Sequence, residues 1–481
     1  MTPGNLARRS PSPAASDARA AKRRKLEYPP LTPDDYRNGV MLAPMVRSGA
    51  LPTRLFALKH GAKLVWGPEI VDKAILHATR VEDPVTGVVS YMGVSKAIWT
   101  THPIEKPFLI YQIGSADPAL AVQAAQKVMH DVAGVDLNCG CPKPFSTHAG
   151  MGAALLTNPD LLISILTALR AALPPHIAVS AKIRLLPTQE DTLRLVERIV
   201  GAGVSCLTVH CRTRSMRPRD RARVERLEEI VRFVRSLGRD VAVIENGDCE
   251  GYEDAKRIRK LTGADSCMIA TAAEANPTVF SPRPLVDLET TFIPQYVRLG
   301  KYLDNHFSST KFCASQFRGE HAQGTRTTQT AMKNAITHAK RYEDLDALVG
   351  PWTGAHEFAQ IVQAIEARAG DRQPKVDDDA PTDPAPAPST AVEAAAAADA
   401  LAKAAEQENS PAASDGESAT LSTASSQPAE LKTPVQSHSP DPALLRAPLV
   451  PANESRLPVP AMVAGEDVPT PTPTQQMAEA A

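Results

Sequence analysis

No apolar run in this 481-residue chain reaches the ~18 residues that a membrane-spanning helix requires, and its N-terminal stretch shows no apolar core of a secretory signal. Neither membrane insertion nor secretion is therefore expected. Aromatic residues make up only 4% of the chain, so a core must be mainly aliphatic. The seven cysteines are odd in number, lie between Cys139 and Cys313, and contain no Cys-x-x-Cys spacing. That pattern argues against a disulfide framework and for a reducing compartment. It argues equally against a zinc site, and no metal is expected. A Gly-x-Gly-x-x-Gly opening a helix after the first β-type run is also missing, which weighs against an open dinucleotide-binding sheet.

What is present is unevenly distributed. The formal net charge is −1, but residues 371–481 hold 6 Lys+Arg against 17 Asp+Glu, leaving 47 against 37 in the first 370. A basic body points to a polyanionic partner, although many basic proteins bind none. Residues 371–481 contain no Phe, Trp, Tyr, Cys or Ile and are rich in Ala, Pro and Ser. Such a segment cannot bury enough apolar surface to offset its ordering entropy, so it is read as a disordered acidic tail, with a transient helix over Ala391–Ala405. Residues 1–35 are read as a disordered basic arm carrying Arg8, Arg9 and the run Lys22 to Lys25. A nuclear import signal and an RNA contact are the alternatives for that run.

Between these ends, eight β-type runs recur: Gly39–Met45, Lys63–Glu69, Phe108–Gly114, Gly134–Gly140, Ile177–Arg184, Cys206–Arg212, Val241–Asp248 and Cys267–Thr271. Amphipathic segments such as Pro159–Ala172 and Asp191–Ala202 separate several of them. Strand–helix alternation predicts a parallel sheet, and eight units predict an α/β fold, a (β/α)8 barrel over residues 36–290. From 291 to 370 the pattern is helical and basic, with Lys301, Lys311, Arg318, Arg326, Lys333, Lys340 and Arg341. It is read as a small helical domain.

Catalytic residues of such barrels gather at the C-terminal ends of the strands. Those ends here carry Pro44-Met45-Val46, Gln112, Asn138 with the Cys141 loop, Lys182 with Arg184, His210 with Arg212, Asn246-Gly247-Asp248, and Ala270-Thr271. Singly, each residue has a bland reading as surface, turn or core. Together they suit a flavin. Gln112 offers an amide to its pyrimidine edge, Lys182 a cation for its reduced, anionic form, and the turns at Gly247 and Thr271 offer N–H groups to a phosphate. Cys141 could be nucleophile, metal ligand or proton donor, and Cys139 is read as structural. The segment CRTRSMRPRDRARVER adds Arg214, Arg217, Arg219, Arg221, Arg223 and Arg226 to Arg212. Guanidinium groups at a barrel mouth fit phosphate recognition; a solvated helix start paired with Asp220, Glu225, Glu228 and Glu229 is the alternative.

Residues 38–345 resemble the dihydrouridine synthases of tRNA, and within them the eukaryotic type-2 branch. The segments that carry the resemblance are MLAPMVRSGALPTR, LNCGCPKPFSTHAGMGAALL, SAKIRLLPTQEDT, TVHCRTRSMRP, IENGD and ANPTVF. The resemblance implies an FMN-binding TIM barrel followed by a helical RNA-binding domain, with NADPH (or NADH) as electron donor and uridine 20 of tRNA as substrate. It implies Cys141 as the general acid and Asn138 as a holder of the uracil ring. Pro44, Met45, Val46, Gln112, Lys182 and His210 would contact FMN; Asn246, Gly247, Asp248, Ala270 and Thr271 would surround its phosphate; Arg184 and Arg212 would face RNA. One departure stands out. Thr271 occupies a position where the family usually has Arg, so either flavin binding is weaker or another Arg replaces the charge. The resemblance includes no double-stranded-RNA-binding module, so RNA affinity is expected to rest on the helical domain, the Arg cluster and the basic arm. A monomer is expected, in the cytoplasm, with the nucleus as an alternative. Two other functions stay open: a flavin reductase of a free pyrimidine, and an RNA-binding relative without flavin.

Overall fold

A computed structural model of the chain describes residues 29–217, 219–318, 326–350 and 354–368. The tail 371–481 and residues 1–28 of the arm lie outside them. Twelve strands are present among the described residues. They are β1 (Val40–Leu42), β2 (Val65–Trp66), β3 (Ile70–Val71), β4 (Thr79–Glu82), β5 (Val89–Met92), β6 (Ala97–Thr101), β7 (Leu109–Gly114), β8 (Gly134–Cys139), β9 (Ala178–Leu185), β10 (Cys206–Thr213), β11 (Ala242–Asn246) and β12 (Ser266–Ile269).

Eight of these strands form the barrel. Parallel pairing runs β1-β12-β11-β10-β9-β8-β7, and β2 pairs with both β1 (Leu42 with Val65) and β7 (Val65 with Leu109), which closes the ring. The eight strands are those expected from the sequence. They read as near-continuous apolar runs because a parallel sheet under helices is buried on both faces. Val135, Leu137 and Cys139 of β8 are fully buried, and so is Asp136 between them. Three of the helices between the strands begin where the sequence supplies a side-chain acceptor followed by Pro or acids. Asp117 caps Pro118–Val128, Asn158 caps Pro159–Ala172, and Thr188 caps Gln189–Gly201.

Two features differ from the sequence reading. The antiparallel meander β4-β5-β6 is inserted ahead of β7, where no strand was expected. Its Trp99 stacks edge-on against Tyr111 of β7 at 4.8 Å and beside Tyr91 at 5.2 Å, so the scarce aromatics are spent fastening the insert. The segment Pro33–Tyr36, whose first three residues end the stretch read as a disordered arm, makes a 3₁₀ turn, with Leu31 and Tyr36 buried.

Beyond Leu288 the described chain is helical. Phe292 meets Phe56 of the helix Leu51–Lys59 at 4.7 Å, Phe317 closes on Phe292 and Tyr296, and Tyr296 shares a hydrogen bond of 2.8 Å with Thr53. This aromatic cluster packs the helical region onto the barrel's first helix.

Candidate active site

The barrel interior is lined by every second residue of each strand. Strand register sets Asn138 opposite Lys182, and Arg184 opposite His210, which itself faces Asn246. Lys182 Nζ donates to Asn246 Oδ1 at 2.7 Å across two strands that are not neighbours, so both side chains point inward. A cleft at this mouth is lined by Arg184, His210, Arg212, Asn246, Gly247, Asp248, Ala270 and Thr271, together with Cys249 and Met268. Eight residues named from the sequence therefore share one cavity, with Lys182 bonded to its wall.

The electrostatics of the cleft follow from crowded cations in a half-buried place. Burial, then the neighbouring Arg184, lowers the Lys182 amine to about 8. Burial and the charges of Lys182, Arg184 and Arg212 hold His210 down to about 2, so its imidazole is neutral at any physiological pH. Arg184 is also drawn down by burial and by Arg212; its Nε donates to the Gly140 carbonyl at 2.7 Å. Arg212 is buried, donates to the Asp220 carbonyl at 2.6 Å, and pairs with Asp248. Its guanidinium thus lines the cleft rather than facing outward. Asp248 also accepts from the Ala222 N–H, and holds φ +62° to do so. Gly247 is needed beside it, because a Cβ there would come within 2.7 Å of Ala222 Cβ.

The second half of the site is built on β7 and β8. Gln112 Nε2 donates to Asp136 Oδ2 at 2.7 Å, and Ser180 Oγ to Asp136 Oδ1 at 2.6 Å. Gln112 Oε1 in turn accepts from Asn138 Nδ2 at 3.2 Å. The Oδ1 of Asn138 accepts the N–H groups of Gly140 and Cys141, at 2.9 and 3.0 Å. Asn138 therefore shapes the Cys141 loop. That loop starts where β8 ends, at Cys139, which is fully buried; Cys141 is half-buried at the mouth. Burial, then the facing Glu69, raises the Cys141 thiol above its ordinary value. Pro44 and Met45 are half-buried after β1, and Val46 is exposed.

Sequence reading missed Asp136 and Glu69. Asp136 sits inside an apolar run, and a carboxylate in such a run was a usable signal of a buried polar network. Of the Arg cluster, Arg214, Arg217, Arg219, Arg221 and Arg223 are exposed and form no ion pair with a described residue. Arg226 turns inward to Gln189 Oε1 at 2.7 Å and the Leu186 carbonyl.

Among the described residues, Glu245, Cys249 and Cys267 are a group that could hold a metal, with donor atoms within 4.8 Å of one another. Glu245 and Cys267 alternate with the inward-facing Asn246 and Met268 of β11 and β12, while Cys249 sits in the loop after β11 at the edge of the cleft. Burial pushes the Glu245 carboxyl well up, and the neighbouring Cys249, then burial, does the same to the Cys267 thiol, so both favour their protonated forms. A structural zinc takes four deprotonated ligands, and this group offers three.

The family model described as dihydrouridine synthase matches residues 41–318. The protein named tRNA-dihydrouridine(20) synthase (NAD(P)+) of Schizosaccharomyces pombe is 47% identical over 319 residues, 65% of this chain and 64% of that protein. The protein of the same name from Saccharomyces cerevisiae is 42% identical over 298 residues, 58% of this chain and 77% of the relative. A tRNA-dihydrouridine(20a/20b) synthase (NAD(P)+) of Saccharomyces cerevisiae is 30% identical over 241 residues, covering 50% and 60%. The chain thus spans just under two thirds of the Schizosaccharomyces pombe relative. Since the family match takes in more than half of the residues, including all eight barrel strands but the first residue of β1, the chain belongs to the dihydrouridine synthase family.

Proposed function

We propose that this protein reduces the C5–C6 bond of a uridine in tRNA, at position 20 in the D-loop, to 5,6-dihydrouridine, using bound FMN and NADPH or NADH. The observation that carries the reading is the half-buried Cys141 thiol, raised by burial and by Glu69, on the loop whose Gly140 carbonyl accepts from Arg184 of the cleft that also gathers His210 and Asn246. The kinship and the names of the relatives support the substrate class.

The residues fit FMN. Arg184 and Arg212 bring two guanidinium groups to the cleft beside the turns at Gly247 and Thr271, a setting suited to a phosphate. They supply the positive charge that Thr271 lacks. Lys182 would face the ring system's anionic edge, and Gln112, held by Asp136 and Asn138, would present a fixed amide. Pro44, Met45, Val46 and His210 complete the proposed FMN contacts. Bound there, the flavin would deliver a hydride to C6 of the uracil.

The rest of the chemistry belongs to the protein. Hydride addition at C6 leaves enolate character over C4–C5, which an acid near C5 must quench. Cys141 donates its S–H proton to C5, and the bonding pair stays on sulfur. A nucleophilic cysteine needs a lowered pKa, and the shift here has the opposite sign, so the structure favours the donor role over the other two. The uridine must leave its stack to reach the mouth, because a stacked base has both faces covered. Asn138 and Arg184 border the entry, and the exposed arginines of residues 214–223 suit the phosphate backbone.

The test is a reaction of the full chain with FMN, NADPH and unmodified tRNA, read by mass spectrometry of D-loop fragments. Gain of two hydrogens at one uridine is expected. A flavin-loaded protein that oxidises NADPH but leaves every uridine unchanged overturns the proposal.

A further inference from the structure

Glu69 follows β2 and is 7% exposed. Its carboxyl is clamped from two sides. The Cys141 loop lies on one: Ser146 Oγ donates to Oε1 at 3.3 Å, and a Cβ at Gly152 would collide with that same Oγ and stand 3.0 Å from Cys141 Cβ. From β7, Gly114 approaches so closely that a Cβ there would be 2.7 Å from Oε1. The other oxygen, Oε2, has no hydrogen-bond partner among the described residues. The thiol is held just as firmly. The Cys141 carbonyl accepts the Ala153 N–H at 2.9 Å, and Gly152, at φ +59°, leaves no room for a Cβ against Cys141 or Ser146. A buried carboxyl with an idle oxygen, bonded to the loop that carries the one half-buried thiol, has no role in the chemistry above.

We propose that Glu69 is the positioning residue of the Cys141 proton donor: its carboxyl accepts the S–H before the transfer and returns a proton to the thiolate after it. The inference rests on the uridine reduction proposed above. The steps balance without a redox partner. In the first, the S–H bond breaks, a C5–H bond forms, and the electron pair stays on sulfur. In the second, the Glu69 carboxylate takes a proton from solvent, its new O–H bond then breaks as S–H re-forms, and the pair returns to the carboxylate. Burial raises the Glu69 carboxyl, which makes its acid form accessible, and Glu69 in turn raises Cys141, which makes the thiolate a ready acceptor.

The titratable and charged groups around the pair are few. Arg184 on β9 and Glu69 interact electrostatically with Cys141, and Glu69 also helps raise the Cys139 thiol of β8. Ser146 and the Lys143 N–H bond to the pair from their own loop. Removing the Glu69 charge should therefore lower the pH at which the thiol ionises.

The test is the pH dependence of iodoacetamide alkylation at Cys141 in the full chain. It can be read selectively by mass spectrometry because the other six cysteines are buried. In Glu69→Gln the alkylation midpoint is expected to fall by about one pH unit, and kcat on tRNA to fall about tenfold or more with KM unchanged. Glu69→Asp should move both in the same direction by less. An unmoved midpoint in a Gln variant that retains flavin overturns the inference. If the Gln variant does not fold, an unmoved midpoint in Glu69→Asp has the same force. Failure of the wild type to reduce tRNA would instead remove the uridine reading, while a shifted midpoint would still establish the Glu69–Cys141 link.

Discussion

Cys141 is useful because it lies one step outside a rigid strand. β8 keeps its partners up to Cys139, and Asn138 then collects the two N–H groups that follow, so the thiol is presented without a strand's constraints. Replacing it by Ala removes the acid but leaves the cleft on β9 to β12 intact. Cys141→Ala is therefore expected to retain flavin and NADPH oxidation while dihydrouridine formation falls about 10²-fold or more; full turnover would remove the assignment. Lys182 makes a second residue-scale prediction. With its amine lowered to about 8 from 10.5, the folded state binds fewer protons than the unfolded chain between those values. The stability this contributes is complete above 10.5 and is lost as pH falls through about 8. A shift of that size is worth about 3 kcal/mol, so Lys182→Met should raise the melting temperature of the flavin-free protein at pH 7 while weakening flavin binding. Flavin titrations from pH 6 to 10 should show wild-type affinity for the reduced cofactor falling through the upper half of that range. The strand-end residues were legible because a barrel directs them to one mouth. Glu69 was not, because its partners Cys141 and Ser146 are more than seventy positions away, and nothing local marks a carboxyl that two distant loops will cover.

At the scale of elements, the helix Leu51–Lys59 is tied to the segment that leaves the meander by one ion pair. Arg54 is 1% exposed and Glu105 fully buried. Two parallel bonds of 2.9 and 2.6 Å join them, and Arg54 also donates to the carbonyls of Gly49 and Thr100. Thr101 Oγ1, on β6, completes the Glu105 partners at 2.8 Å. Removing one member leaves a buried charge without its partner, so Arg54→Ala is expected to cost about 3–5 kcal/mol in urea unfolding. The double variant Arg54→Met with Glu105→Leu should recover most of that loss. A single-variant cost below about 1 kcal/mol would show that water reaches the pair. This pair also explains the limit of the sequence reading. The eight barrel strands were visible as apolar runs closed by Gly, Pro or polar residues. β4 to β6 were not, because β4 is exposed throughout and β6 is mostly half-buried. Their anchor is a side-chain pair and Trp99, neither of which leaves a periodic trace.

At the scale of the whole molecule, the charge asymmetry sets how RNA can be held. The excess of Lys+Arg over Asp+Glu is confined to the first 370 residues. Part of the helical region's share is already committed: Lys301 pairs with Glu343 at 3.0 Å, and Lys311 caps the carbonyls of Thr337 and Ala339. Those two lysines hold the helices together and have less to give a phosphate. The five exposed arginines between Arg214 and Arg223 carry no such commitment to a described residue, so they should bear a large part of the electrostatic binding. If each meets one phosphate, tRNA affinity should fall about 100-fold between 50 and 200 mM salt. Replacing Arg217, Arg219 and Arg221 together by Ala should lower the slope of log affinity against log salt by about 2, with flavin content unchanged. An unchanged slope in that triple variant would move the binding surface to the helices, where the free charges left by Lys301 and Lys311 are fewer and a shallower salt dependence follows.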